Sequence, residues 1–181
     1  GIIAAPGNID IDKAITDSRI DITDINSEGF VINEGSITAR EAGLVAFVAP
    51  SVINSGIIHA KLGRVQIGAG ERATIDLYGD GLMEVALDEG HSQALINHGV
   101  ITAQGGHVQL TAAAAKDVVD NLVLNTGVIA ADSFSQDQTG KVILSAGKTN
   151  KIETRGRSLT VNQGLISAAG YADAQRGGQI E

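Results

Sequence analysis

Acidic side chains in the middle of the sequence are the residues whose type and spacing could carry chemistry. They are Asp76, Asp80, Glu84, Asp88 and Glu89. Two carboxylates at a suitable separation could hydrolyse a glycosidic bond, and Asp76-x-x-x-Asp80-Gly81 could offer oxygen ligands to calcium. However, carboxylates do not align on two consecutive repeats of the chain, and the twelve-residue calcium loop is absent. We therefore expect turn chemistry rather than a catalytic or calcium site.

Histidines are the other residues that could hold a metal, because imidazole nitrogen is a common zinc ligand. They are His59, His91, His98 and His107. No pair has ligand spacing, and the chain contains no cysteine to supply thiolate ligands or disulfides. A nucleophile elbow of the form Gly-x-Ser-x-Gly is also absent. The sequence therefore predicts surface histidines, no metal or cofactor site and no enzymatic activity.

A short motif, Asn-x-Gly-x-Ile-x-Ala, recurs along the chain and dominates its pattern. Its five copies begin at Asn33, Asn54, Asn97, Asn125 and Asn162. A second motif, Gly-x-Val-x-(Ile/Leu)-x-Ala, occupies residues 63–69, 106–112 and 140–146, with a Phe-containing variant at 43–49. The inward positions of both motifs alternate with outward ones, which is typical of a β-strand with one buried face. A unit reused in this way indicates a repeat protein that builds length and surface rather than one pocket.

The spacing of the motifs predicts an all-β solenoid, a parallel β-helix of about eight coils. Asn33 and Asn54 are 21 residues apart, which suits two or three strands joined by tight turns. Asn54 and Asn97 are 43 residues apart, close to two such periods. We therefore predict a degenerate coil between them, formed by residues 75–77 and then by Met83, Val85 and Leu87.

Longer spacings later in the chain predict loop or helical insertions between coils. Residues 112–122 have helical composition and could form a turn or two of helix. Residues 132–140 are polar and predict a protruding loop. Residues 147–158 contain a modest basic cluster of Lys148, Lys151, Arg155 and Arg157. We expect this cluster to be a solvated loop rather than a binding site.

The repeated asparagine predicts a ladder at one corner of the coils. Its amide group can bond both the backbone of the turn and the asparagines above and below it. A catalytic asparagine would not need to recur in every repeat. We therefore predict a structural role for Asn33, Asn54, Asn97, Asn125 and Asn162.

The residue after each motif glycine is expected to point outward. These residues are Ser36, Ile57, Val100, Val128 and Leu165, and four of the five are apolar. One interpretation is ordinary strand propensity on a flat face. The other is an apolar stripe of Ile57, Val100, Val128 and Leu165 that packs under a loop or against another chain.

The net charge of the chain limits the partners that it could bind. With 13 basic and 21 acidic residues, the net charge of −8 argues against binding to nucleic acid or anionic lipid.

Residues 1–29 alternate isoleucine with aspartate and predict N-terminal strands that continue or cap the solenoid. Residues 30–181 carry the β-helix repeats, and the last residues match only the opening of a strand. We therefore expect a segment of a longer protein, cut in the middle of a coil.

The ordered series of motifs resembles the filamentous haemagglutinin family of bacterial exoproteins. The resemblance covers roughly Phe30 to the end and includes residues 44–50 and 74–82. It implies a right-handed β-helical stem, a secreted or cell-surface location, and two-partner export through an outer-membrane transporter of a Gram-negative bacterium. The family's Asn-Pro-Asn motifs are absent, because neither Pro6 nor Pro50 follows an asparagine.

Two classes of function follow from these patterns. The first is a structural and interaction module, the stem of a large exported bacterial surface protein of the adhesin type. Its partner would be a glycan or protein on a host or neighbouring cell, and self-association into fibres is compatible with the apolar stripe. The second class is a β-helix protein that cleaves or binds polysaccharide. Outward carboxylates that meet across coils would favour cleavage, and the low aromatic content, 3%, leaves few rings to stack on sugars.

Overall fold

Strands dominate the computed structural model, which describes residues 1–10, 12–78, 81–86, 93–113, 121–135, 137–146, 158–170 and 176–181. In chain order the elements are β1 (Ile2–Ala4), β2 (Asn8–Asp10), α1 (Lys13–Thr16), β3 (Arg19–Thr23), β4 (Phe30–Asn33), β5 (Ser36–Thr38), β6 (Leu44–Ala49), β7 (Ser51–Asn54), β8 (Ile57–His59), β9 (Arg64–Ala69) and β10 (Arg72–Asp76). They continue with β11 (Met83–Ala86), β12 (Gln93–Asn97), β13 (Val100–Thr102), β14 (His107–Ala112), β15 (Asn121–Asn125), β16 (Val128–Ala130), β17 (Lys141–Ser145), β18 (Ser158–Asn162), β19 (Leu165–Ser167) and β20 (Gln179–Ile180).

Three parallel sheets contain most of these strands. Sheet I has the order β1-β6-β9-β14-β17-β20, sheet II has β18-β15-β12-β7-β4, and sheet III has β19-β16-β13-β8-β5. The strands of sheet II end at the motif asparagines, a two-residue turn follows, and the strands of sheet III begin. The second motif forms β6, β9, β14 and β17 of sheet I. Each motif of the sequence therefore has a fixed place in the stack.

Each layer of the stack takes one strand from each parallel sheet. The chain runs from sheet II through the asparagine turn into sheet III, and then through a second turn into sheet I. Within the described residues, the complete layers are β4–β6, β7–β9, β12–β14, β15–β17 and β18–β20. This β-helix-like arrangement confirms the all-β class and the parallel pairing predicted from the motifs. The complete layers are fewer than the coils that the spacing predicted.

The degenerate coil predicted between Asn54 and Asn97 is wrong. Strand β12 pairs directly with β7 and places Asn97 opposite Asn54. The intervening residues instead form an antiparallel pair, β10 with β11, and β10 also pairs with β3. Apolar and polar residues alternate in the same way in parallel and antiparallel strands. The alternation at Met83 and Val85 therefore did not distinguish a further coil of the stack from an antiparallel pair of strands. Leu87 lies outside the described residues.

The antiparallel strands form sheet IV, in the order β11-β10-β3-β2, which packs on the outer face of sheet I. Ile75 and Met83 of sheet IV share a buried cluster with Val48 of β6. Gly68 of β9 provides the space for this contact. A Cβ atom at Gly68 would lie 2.5 Å from Val85 Cγ1 and 2.6 Å from Met83 Sδ. The two sheets can approach closely because this position has no side chain.

Two glutamines on the outer face of sheet I hold sheet IV by hydrogen bonds. Gln109 accepts a bond from the Met83 N–H through Oε1 and donates to the Met83 carbonyl through Nε2, both at 2.8 Å. Gln66 Nε2 donates to the Gly81 carbonyl at 2.7 Å and to Gln109 Oε1 at 3.3 Å. Arg64 donates to three carbonyl groups of the turn before β11. These bonds satisfy backbone groups that would otherwise be buried at a cost.

The main core consists of aliphatic side chains that stack from layer to layer. Ile58, Ile101 and Ile129 of sheet III are register partners and are fully buried. Val65 and Val108 form an equivalent buried row in sheet I. Full burial of one such side chain stabilises a fold by about 1.5–3 kcal/mol relative to exposure. The repeated inward positions therefore account for most of the stability of the stack.

The N-terminal region contributes strands to two of the sheets, and the structure describes only part of the predicted insertions. Residues 1–29 supply β1 to sheet I and β2 and β3 to sheet IV. The proposed helix falls mainly on residues 114–120, outside the described residues, as does the basic cluster of Lys148, Lys151, Arg155 and Arg157. The loop at 132–140 is described apart from Gln136, and within it the Phe134 N–H donates to the Gln138 carbonyl at 2.9 Å.

Replacement of Gly68 by alanine tests the contact between sheets I and IV. We expect Gly68→Ala to lower the free energy of unfolding by about 1–3 kcal/mol, because the new methyl group overlaps Val85 and Met83. Urea denaturation measures the change, and limited proteolysis reports the release of β10 and β11. The matched control is Gly35→Ala, where the nearest atom to the new Cβ would be 4.0 Å away. Equal effects of the two substitutions would contradict close packing at Gly68.

Candidate functional site at the asparagine corner and the outward faces

The five motif asparagines form one continuous ladder of side-chain hydrogen bonds. Each bond runs from the Nδ2 of one asparagine to the Oδ1 of the next, at 2.7 Å in all four cases. Asn54, Asn97 and Asn125 are fully buried, whereas Asn162 is exposed. A buried amide without partners would be costly, so the ladder is stabilising only when the layers are in register.

Backbone bonds complete the same corner. The carbonyl of Asn33 accepts from the N–H groups of both Ser55 and Gly56 in the next layer, and Asn54, Asn97 and Asn125 repeat this pattern. Gly56 is the residue that this close approach requires. A Cβ atom there would lie 2.1 Å from the carbonyl oxygen of Gly35. The asparagine and the glycine of the motif thus act in the same turn. The asparagine side chain forms hydrogen bonds between successive layers, and the glycine lets their backbones approach each other.

The predicted outward residues form a single row along sheet III. Val100 is the register partner of Ile57 and of Val128, and Val128 pairs in turn with Leu165. Ile57 is 41% exposed and Leu165 is 59% exposed. Val100 and Val128 are half-buried. The structure therefore brings the four predicted residues together as an apolar row that is partly open to solvent.

A second aliphatic row, on sheet II, was missed by the sequence reasoning. Its members are Ile32, Ile53, Ile96, Leu124 and Val161, which are register partners. Ile32 is 50% exposed, and the other four side chains are half-buried. The signal was present in the sequence, because each member directly precedes a motif asparagine. Aliphatic rows therefore flank the asparagine corner on both of its sides.

The acidic candidates do not form a catalytic pair in the described residues. Asp76 accepts bonds from the N–H groups of Tyr78, at 3.1 Å, and Gly81, at 3.4 Å. Glu84 lies on β11 opposite Thr74. Asp80, Asp88 and Glu89 are outside the described residues. Asp76 thus organises a turn, in agreement with the turn chemistry expected for this part of the chain.

Sheet IV carries a charged cluster on its outer face around Asp21. Hydrogen bonds to Asp21 come from Lys13 Nζ at 2.7 Å and from the Thr74 hydroxyl at 3.1 Å, and Arg19 Nη2 lies 3.5 Å away. The Lys13 hydrogen bond, above all, lowers the pKa of Asp21, while partial burial opposes this effect. The same bond raises the pKa of Lys13. The negative charge of Asp21 is thus compensated by Lys13 and Arg19, which indicates a structural role for the cluster rather than a reactive acid.

The histidines lie in three different surroundings. His59 Nδ1 contacts Thr102 Oγ1, and His98 Nδ1 lies 2.6 Å from Thr126 Oγ1. His107 is half-buried on sheet I, and His91 is outside the described residues. Among the described residues, no three metal-ligating side chains come together. No helix in that same part of the chain is long and apolar enough to cross a membrane.

His107 occupies a row of basic residues on the outer face of sheet I. Its register partners are Arg64 and Lys141, and Lys141 Nζ lies 2.9 Å from Glu181 Oε1. Within the described structure, the Nδ1 atom of His107 is buried and has no hydrogen-bond partner. Burial, and to a lesser degree the charges of Lys141 and Arg64, lower the pKa of His107. The row therefore tolerates a neutral imidazole better than a charged one.

Comparison with known proteins identifies the fold. No family model matches the chain. A heme/hemopexin-binding protein of Haemophilus influenzae is 35% identical over 108 residues, which are 58% of this chain and 11% of that protein. The crystal structure of the HMW1 secretion domain from Haemophilus influenzae matches 99% of this chain and 43% of that chain, with a TM-score of 0.63 and 24% identity. The chain has the fold of that secretion domain. It spans less than two thirds of either protein.

Removal of one central amide tests the ladder. We expect Asn97→Ala to lower the free energy of unfolding by about 2–4 kcal/mol, because it leaves the Asn54 Nδ2 and the Asn125 Oδ1 without their ladder partners in a buried corner. Urea denaturation measures the loss. Asn162→Ala is the control, because this exposed residue makes one ladder bond rather than two, and its loss should cost about 1–2 kcal/mol. A similar loss in both variants would contradict a ladder that depends on burial.

The lowered pKa of His107 predicts a loss of stability in mild acid. Below about pH 6.5 the unfolded chain binds a proton at this histidine more readily than the folded chain does. The free energy of unfolding should therefore fall as the pH drops through this value, and His107→Gln should reduce the slope. Urea denaturation across this pH range checks the effect, with His98→Gln at an exposed turn as the control. An unchanged slope in His107→Gln would refute the assignment.

Proposed function

We propose that this segment is part of the stem of a large exported bacterial surface protein of the adhesin type, and that it has no catalytic role. The observation that carries the proposal is the asparagine ladder with its single register. It links every complete layer of the described structure through bonds of equal length. A stack built in this way resists local opening, because each layer contacts its neighbours over three sheets. Stiffness and length are the properties that a stem needs.

The comparisons support export as the setting of this stem. The similar structure is a secretion domain, and its likeness extends over nearly the whole of this chain. We propose that this chain uses the two-partner route, that an outer-membrane transporter is its partner during export, and that its destination is the cell surface or the surrounding medium. The filamentous haemagglutinin resemblance points in the same direction. Right-handed coiling is part of the proposal, because parallel strand crossovers are right-handed in nearly every known case.

Recognition of a host molecule is the proposed role of the complete surface protein. The relative from Haemophilus influenzae is named a heme/hemopexin-binding protein, and it is 35% identical to this chain over the matched region. This observation favours a host protein as partner, and a glycan is the alternative. The two aliphatic rows beside the asparagine corner offer partly exposed surface for such contacts or for side-by-side association of stems.

Export to the surface of a Gram-negative host tests the proposal. The segment is produced behind a periplasmic export signal, with and without an outer-membrane transporter of the two-partner class. We expect it to become accessible to external protease only in the cells that make the transporter, because its fold matches a secretion domain. Protease digestion of intact cells, followed by detection of the segment, gives the measurement.

Two controls make the export result decisive. The HMW1 secretion domain with a transporter that exports it shows that the assay detects true export. A soluble periplasmic protein shows that the outer membrane is intact. If the HMW1 domain reaches the surface and this segment stays in the periplasm with every transporter tested, the export proposal is wrong.

A further inference from the structure

A cleft opens on the outer side of sheet III, where the turn toward sheet I begins. It has a volume of about 360 Å³. Its lining consists of His59, Lys61, Thr102, Gln104, Ala130 and Asp132. These residues belong to three adjacent layers, because β8, β13 and β16 are neighbouring strands. The cleft thus combines hydrogen-bond donors and acceptors from positions far apart in the sequence around one small apolar residue, Ala130.

Asp132 is held in place by atoms outside the cleft. Its Oδ1 atom accepts bonds from the Ser167 hydroxyl and from the Ala169 N–H, the latter at 2.8 Å. Its carbonyl oxygen accepts from the Gly105 N–H at 2.6 Å. Both side-chain bonds use the same oxygen, and within the described residues the second carboxylate oxygen, Oδ2, accepts no hydrogen bond and could serve a ligand. A fixed carboxylate needs little reorganisation to bind two neighbouring hydroxyl groups.

The His59 side chain is oriented by Thr102. The Thr102 hydroxyl donates to the Ile58 carbonyl at 3.4 Å and contacts His59 Nδ1. If the hydroxyl proton is used by the carbonyl, Nδ1 carries the hydrogen of the neutral imidazole, and Nε2 is an acceptor. His59 is exposed, and its position on β8 places it beside the residues of the next layer. In that tautomer it adds a second oriented acceptor to the cleft.

Lys61 supplies a positioned donor. Its Nζ atom lies 4.5 Å from the centroid of the Phe134 ring and 3.7 Å from Glu41 Oε2. The ring belongs to the inserted loop at 132–140, which also contains Asp132. The cation–π contact and the ion pair restrict a side chain that would otherwise move freely. The charge of Lys61 is paired with Glu41, and Lys61 is the one lysine or arginine among the residues that line the cleft.

We propose that this cleft binds a neutral sugar unit that carries adjacent hydroxyl groups. The Asp132 carboxylate and His59 Nε2 accept from the sugar hydroxyls, while Lys61 and the Gln104 amide donate to its oxygens. Ala130 contacts the apolar C–H face of the ring. An acidic sugar is disfavoured because its carboxylate would meet Asp132 without a matching free cation. The cleft does not depend on the export proposal, and it gives the stem a glycan contact of its own.

Nuclear magnetic resonance titration of the purified segment tests the proposal. The probes are methyl glycosides of glucose, galactose and mannose, their short oligosaccharides, and glucuronate as the acidic comparison. We expect at least one neutral probe to shift the backbone amide signals of Gly105 and Asp132, and Asp132→Asn to weaken its binding about tenfold or more. The asparagine side chain keeps an oxygen that can accept from Ser167 and Ala169, so the fold should be preserved.

Asp137→Asn is the matched control, because Asp137 is an exposed acid in the same loop that does not line the cleft. It should leave the affinity unchanged. Lys61→Met is the second variant, because it keeps apolar contact with Phe134 but loses the donor, and it should also weaken binding. The proposal fails if no neutral probe shifts these signals, if glucuronate binds more tightly than the neutral sugars, or if Asp132→Asn and Asp137→Asn bind equally. None of these readouts requires a transporter, so they leave the export test independent.

Discussion

The hydrogen bond between successive asparagine amides is the constraint on which the rest of the structure depends. A parallel strand that slips by one residue turns every inward side chain outward. In this protein such a slip would also break two buried amide bonds at each affected layer. The corner therefore fixes the register of sheets II and III together. The register of sheet I follows, because a short turn connects β5, β8 and β13 of sheet III to the next strand of sheet I. The stacked rows of Ile58, Ile101 and Ile129 follow from that single constraint.

A fixed register allows the rest of each layer to vary. Successive ladder asparagines are 21, 43, 28 and 37 positions apart along the chain, yet the hydrogen bonds between them have the same length. One addition forms β10 and β11 of sheet IV, which Gln66 and Gln109 attach to the outer face of sheet I. Another forms the loop with Asp132 and Phe134, which borders the cleft on sheet III.

The repeated part of the fold and the loop at 132–140 could be predicted from the sequence, whereas sheet IV and the cleft could not. Five copies of one motif specify parallel pairing and a shared corner, because like residues stack only when the layers match. Sheet IV has no such signal, since its alternating strands look the same in either pairing direction. The one local indication was Gly68, at a position where β6 has Val48 and β14 has Thr111. The cleft was also hidden, because its residues come from separate layers and an insertion that follow no common spacing.

The ladder also has a direction. In each of its four bonds, the asparagine of the earlier layer donates through Nδ2 and the asparagine of the later layer accepts through Oδ1. The side-chain dipoles of the corner consequently point the same way, and its two ends differ chemically: one presents an oxygen and the other an NH₂ group. Two copies meeting through like ends would place donor against donor or acceptor against acceptor. When such stacks join end to end, an NH₂ group therefore meets an oxygen only in a head-to-tail arrangement. The corner is thus a directional element of the fold rather than a symmetric one.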